Sequence, residues 1–94
     1  MFNATNAEGG QVRLSGRFDA AQVEKARAVF DLVNDSTVVD FGELEYISSA
    51  GLGILLMTQR RLRETGKSIK LINMNKHIRD VFQYAGFDKI FEIA

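Results

Sequence analysis

Thr37-Val38-Val39-Asp40-Phe41-Gly42-Glu43-Leu44-Glu45-Tyr46-Ile47-Ser48-Ser49-Ala50-Gly51-Leu52-Gly53 runs through the middle of the chain. Its first five residues are β-branched or aromatic around one acid, which reads as a strand buried on both faces, as parallel sheets require. Gly42 to Ile47 reads as a loop. Ser48-Ser49 then stands in front of a helix expected over Ala50 to Glu64, with Leu52, Leu55, Leu56 and Leu62 on its apolar side. Arg60, Arg61 and Arg63 fall near its end, where positive charge suits the helix dipole. Thr65-Gly66 is a stop signal.

A strand followed by a helix calls for another parallel strand. Upstream, Phe2 to Ala7 is a weak strand candidate, Glu8-Gly9-Gly10 a turn, and Gln11 to Ser15 an alternating strand, which makes a hairpin. Gly16-Arg17 closes it. Asp19 is an N-cap candidate with Gln22 three residues on, a capping-box pattern, and Phe18 and Val23 occupy staple positions. Val23, Ala26, Phe30 and Val33 follow helical spacing, and Asn34-Asp35-Ser36 ends that helix. Downstream, Ser68 to Asn73 reads as a strand. Asn75 caps a third helix with Ile78, Val81, Phe82 and Ala85 on one side, Gly86 ends it, and Lys89 to Ile93 is a last short strand. The order is β-β-α-β-α-β-α-β. It predicts an α/β fold with a mixed, mostly parallel sheet, an antiparallel hairpin strand at one edge, and helices chiefly on one face.

Ninety-four residues make one domain, 1–94. Twelve Lys and Arg balance twelve Asp and Glu, which argues against a protein built to hold nucleic acid, since that needs surplus positive charge. No cysteine is present, so disulfide and thiolate chemistry are excluded. One histidine, His77, does not make a metal site with no sulfur ligands. No signal peptide is visible at Met1 to Thr5. The longest apolar run, Ala50 to Met57, is too short to span a bilayer. These features fit a cytoplasmic protein without membrane insertion. The nucleophile-elbow pattern of serine hydrolases is missing around Ser49, and Gly51-Leu52-Gly53 lacks the third glycine of a dinucleotide loop and a P-loop lysine. Those glycines fit close packing of the helix start.

The Ser48-Ser49 pair has two readings from physics alone. It is a plain N-cap, or it is a modification site. In the second reading a phosphate at the start of a helix meets unpaired backbone N–H groups and a favourable dipole, so the fold survives while the surface charge changes.

The stretch from Val39 to Gly53 resembles the signature of STAS domains, in which a strand ends in an aspartate and an acceptor serine opens a helix beginning Gly-Leu. Gly16-Arg17-Phe18-Asp19 resembles the family's earlier glycine-to-aspartate turn, and Asn75 to Phe87 its third helix. The resemblance covers essentially the whole chain and is nearest to the bacterial anti-sigma factor antagonists. It implies a non-catalytic protein without cofactor. Its partners would be an anti-sigma factor, a serine kinase of the histidine-kinase-like ATPase type, and a PP2C-like phosphatase. The resemblance makes Ser49 the phosphate acceptor and places Gly16, Arg17, Asp19, Tyr46, Ser48, Ala50 and Gly51 on the partner-binding surface. Many members carry an aspartate before the acceptor and a serine or threonine after it. Here Ser48 and Ala50 stand there, and Ser48 is a competing acceptor. Two other functions fit the residues: a constitutive STAS subunit of a transport or signalling complex, and a nucleotide-binding module with phosphates at the helix start.

Overall fold

A computed structural model describes residues 1–7 and 10–94. Strands β1 (Asn3–Ala7), β2 (Gln11–Phe18), β3 (Thr37–Ile47), β4 (Ile69–Ile72) and β5 (Glu92–Ile93) form one sheet in chain order. Helix α1 (Val23–Phe30) joins β2 to β3, α2 (Ser49–Arg63) joins β3 to β4, and α3 (Lys76–Tyr84) joins β4 to β5. β1 lies antiparallel to β2, with Asn3 opposite Ser15, and every later pair is parallel. The predicted element order and the mixed sheet are as found. The hairpin turn at Glu8-Gly9 lies outside the described residues.

The strand order has a direct consequence. Right-handed crossovers between strands that always step the same way put every connecting helix on the same face. Val12, Leu14, Phe18, Val39, Phe41, Ile69 and Leu71 fill the covered face, and Ala26, Phe30, Leu55, Leu62, Ile78 and Phe82 meet them from the helices. Phe82 packs edge-on against Phe41, Phe87 and Phe91, with ring centroids 5.8, 6.2 and 6.0 Å away. Val38 and Asp40 on the other face are only half-buried. The expectation that Thr37 to Phe41 is buried on both faces is therefore corrected: nothing is stacked behind this sheet among the described residues.

Other expectations change as well. Gly42 to Ile47 is strand, not loop: β3 continues through it for 11 residues in all. Its buried residues are Thr37, Val39, Phe41, Leu44 and Ile47, so the inward period slips twice. Those slips match the register shifts against β2, between Arg13 and Ser15 and between Gly16 and Arg17, where β3 carries an extra residue each time, as at a β-bulge. Gly16-Arg17 does not close the hairpin but lies within β2, which runs on to Phe18. Asp19 caps a 3₁₀ turn, Ala20–Gln22, rather than an α-helix, accepting from the Ala21 N–H at 3.1 Å. The capping box does not form, and Gln22 makes no side-chain capping bond where α1 begins. At the other end of the chain, Ala85 sits exposed at the end of α3. A 3₁₀ turn, Phe87–Lys89, shortens the last strand to two residues.

Two buried or half-buried polar side chains of α2 lock the layers. Arg61 donates to the carbonyls of Val33 (2.8 Å) and Phe30 (2.9 Å), so it closes the C-terminal end of α1, a neighbouring helix, rather than its own. Gln59, only 3% exposed, accepts from the Ile69 N–H at 2.8 Å and donates to the Ile90 carbonyl at 2.9 Å. A buried amide with both ends satisfied costs little and fixes the neighbouring strand ends.

Gly16 has a φ of +81°, and a Cβ built there would lie 1.8 Å from the Met1 carbonyl oxygen. Gly53 is in a helix interior with nothing within 4 Å of the corresponding position. Gly16→Ala is expected to destabilise the protein by about 2–4 kcal/mol through strain and displacement of the N-terminal segment. Gly53→Ala should stabilise it by about 0.5–1 kcal/mol. Urea unfolding of the two variants checks both signs.

Candidate functional site

The C-terminal ends of β2 and β3 lie side by side, with Phe18 opposite Ile47. From Ile47 the chain turns into α2 within one residue, Ser48. Its backbone N–H donates to the Phe18 carbonyl at 2.9 Å, so it extends the strand pairing by one bond. Its backbone is extended (φ −90°, ψ 171°), and its Oγ accepts from the Gly51 N–H at 3.2 Å. This is an N-cap: it satisfies one of the helix's unpaired first-turn donors.

Ser49 is the first helical residue and is exposed, whereas Ser48 is half-buried. Ala50 is half-buried and Gly51 is buried. A Cβ on Gly51 would lie 2.9 Å from Ile47 Cγ1 and 3.1 Å from the Phe18 ring, so the helix seats directly on those two side chains. The expectation that the helix-start glycines serve close packing holds for Gly51, and Gly53 has no neighbour that demands it.

Beside the start of α2, on the open face of the sheet, the Arg17 guanidinium lies 4.4 Å from the Tyr46 ring centroid. The two residues are opposite one another in register. Arg17 is exposed and Tyr46 half-buried. Backbone pairing holds Tyr46 in the strand, and the cation–π contact lays its ring against Arg17. Asp19, half-buried, follows directly after Phe18. The structure therefore gathers Arg17, Asp19, Tyr46, Ser48 and Ser49 at one end of the sheet. Gly16 and Gly51, expected on the contact surface, are buried in this chain and act as spacers instead. His77 is exposed in the first turn of α3.

One clamp was not singled out from the sequence as a site. The Asp40 carboxylate accepts from the Gly42 N–H at 2.8 Å and from Asn73 Nδ2 at 3.1 Å. Gln11 Nε2 (3.5 Å) and Arg13 Nε (3.8 Å) approach its other oxygen. Asn73 is in the left-handed region, at φ +61°. Two residues on, Asn75 caps α3, accepting from the Ile78 N–H at 2.8 Å and donating to the Leu44 carbonyl at 3.3 Å. Asp40 thus holds the first irregularity of β3 and the end of β4 together. The signal was available: a half-buried carboxylate in an apolar strand needs donors.

These observations define a class: an α/β domain with its helices on one face and an exposed serine hydroxyl opening the helix after the central strand. The STAS domain model described as "Mlab, STAS domain" matches residues 1–92, and the chain belongs to the STAS domain family. BtrV of Bordetella bronchiseptica, assigned by name to the anti-sigma factor antagonists, is 37% identical over 94 residues, covering 100% of this chain and 71% of BtrV. The fold matches the anti-sigma factor antagonist SpoIIAA in its unphosphorylated form (TM-score 0.70, 23% identity, 100% of this chain and 87% of that one). It also matches Bacillus SpoIIAA in the phosphorylated form (TM-score 0.71, 24% identity, 100% and 91%).

The division of labour between the two hydroxyls is measurable. Ser48→Ala is expected to cost about 1 kcal/mol of stability by removing the cap. Ser49→Ala should change stability by less than about 0.5 kcal/mol, as for an exposed surface position. Equilibrium denaturation of the pair checks the order; the reverse order would make Ser49 the structural residue.

Proposed function

We propose that this chain, residues 1–94 acting as one unit, is an anti-sigma factor antagonist. It docks on an anti-sigma factor when Ser49 is unmodified and leaves when Ser49 is phosphorylated. The observation that carries the reading is the separation of cap from acceptor: Ser48 holds the helix, and Ser49 presents an exposed hydroxyl at its first position. A phosphate there adds about −1.5 to −2 charges at the positive end of the helix dipole, which favours the anion. The scaffold keeps its shape while the docking surface acquires a charge that its partner is not built to meet. The likeness to BtrV over the full chain supports the partner class. SpoIIAA, known in both forms, supports the view that this fold tolerates a phosphate.

In this reading the contact surface is Ser49 with Arg17, Asp19, Tyr46, Ser48 and Ala50, and Gly16 and Gly51 shape it from below. The chain is a substrate of the kinase and not an enzyme: magnesium, nucleotide and general base belong to the anti-sigma factor, a serine kinase of the histidine-kinase-like ATPase type. A PP2C-like phosphatase restores the active form. The setting is the cytoplasm, and no helix among the described residues is long and apolar enough to cross a membrane.

A second reading is a constitutive STAS subunit of a transport or signalling complex, in which Ser49 is an unmodified surface residue and membership of the STAS family is all that is required. One experiment separates the two. Wild-type and Ser49→Asp baits are exposed to lysate of the native organism, with mass spectrometry of the captured proteins and of bait phosphopeptides. The antagonist reading expects capture of a histidine-kinase-like ATPase by wild type, phosphate on Ser49, and a loss of affinity of roughly a hundredfold or more for Ser49→Asp at unchanged thermal stability. Equal capture by both baits, with transport or signalling components as the partners, establishes the constitutive subunit instead.

A further inference from the structure

The opposite end of α2 borders a cleft for which the acceptor site has no use. Ser49 and Arg63 are the first and last of the 15 residues of α2, about 21 Å apart along the axis at 1.5 Å per residue. The cleft, open and about 460 Å³ in volume, is lined by Arg63 from α2, by the turn containing Lys67, and by Lys89, Ile90 and Glu92 from the C-terminal segment. Its floor is fixed. Gln59 spends its amide on Ile69 and Ile90, so the wall bearing Lys89 is tied to the helix bearing Arg63.

In a chain whose formal charges cancel, this cleft collects three cations and one acid. The acid is already engaged: Glu92 pairs with Lys70 at 3.4 Å. Lys67 pairs with Asp35 at 3.3 Å. Arg63 and Lys89 have no carboxylate within salt-bridge distance among the described residues. The helix dipole accounts for one cation here at most, because Lys67 and Lys89 are not on α2. Nor is Arg63 needed as a cap. The Gly66 N–H donates to the Arg63 carbonyl and the Lys67 N–H to the Leu62 carbonyl, a turn that closes the helix by itself. Two free cations from separate elements, facing one cavity on a rigid floor, make an anion site.

We propose that this cleft binds a small phosphate-bearing molecule, the phosphate between Arg63 and Lys89 and any organic part along Ile90. The site is independent of phosphorylation at Ser49. The test is an amide chemical-shift titration of the full chain with inorganic phosphate and, separately, with glucose 6-phosphate, at ionic strength held constant with chloride. The expected result is saturable shifts confined to the residues around Arg63, Gly66, Lys67 and Lys89, and an affinity at least about tenfold lower in Arg63→Gln and in Lys89→Gln. Tighter binding of the sugar phosphate identifies an ester as the ligand, and equal binding identifies the free oxyanion; either supports the site. Shifts that climb linearly through the millimolar range, or spread over all surface Lys and Arg residues, or persist in both variants, overturn it. Ser49→Asp keeps the same titration if the proposal holds, so its failure is distinct from failure of the antagonist reading.

Discussion

The contact on which the rest of the molecule depends is the seat of α2 on the ends of β2 and β3. Gly51 allows the helix backbone to rest against Ile47 and Phe18, where any side chain would force one of them aside. Ser48 makes the turn possible at that distance, since its N–H continues the β2–β3 pairing while its Oγ closes the helix start. With one residue between strand and helix, the orientation of Ser49 is set by the scaffold and not by a loop. A site built this way holds its geometry because moving it would break core packing.

The sequence revealed the order of elements because each helix and strand carries its own period and its own punctuation. It concealed the length of β3. Inward residues at Thr37, Val39 and Phe41 keep the strand period, but the next are Leu44 and Ile47, three apart each time. Glycine and two glutamates between them look like loop chemistry. They are strand because β2 pairs with them across two register shifts, a tertiary fact that no local pattern encodes. Gly16 misled for the same reason. A positive φ marks a turn as often as a bulge, and here it lets the backbone of Met1 pass close to a strand. The serine pair at the helix start was legible by motif, and the capping chemistry that Ser48 performs by residue type. The Asp40 clamp and the reach of Arg61 to a neighbouring helix needed coordinates, since both link residues about thirty positions apart.

The two faces of the sheet are held by different forces. Apolar burial stabilises the helix side. The open side carries Arg13 near Asp40, Lys70 with Glu92, and Arg17 over Tyr46. Exposed pairs of this kind add little stability, a median of about 0–1 kcal/mol each. Their use is to keep an uncovered face polar and its side chains in register without a second layer. That leaves the strand ends near Ser49 uncovered on the open side.

The serine pair ties these points together. A hydroxyl that caps a helix is committed: its oxygen accepts from a backbone N–H, and Ser48 is partly buried in doing so. A hydroxyl at the next position has helical backbone, no capping bond and an exposed residue to carry it. Had one serine served both purposes, phosphorylation would have altered the helix start, the packing of Gly51 and the pairing at Phe18 together. Capping and exposure fall on adjacent residues here, Ser48 and Ser49. The cap stays with the core, and on the proposed reading a charge added one residue later would alter the exposed surface while leaving the capping bond in place.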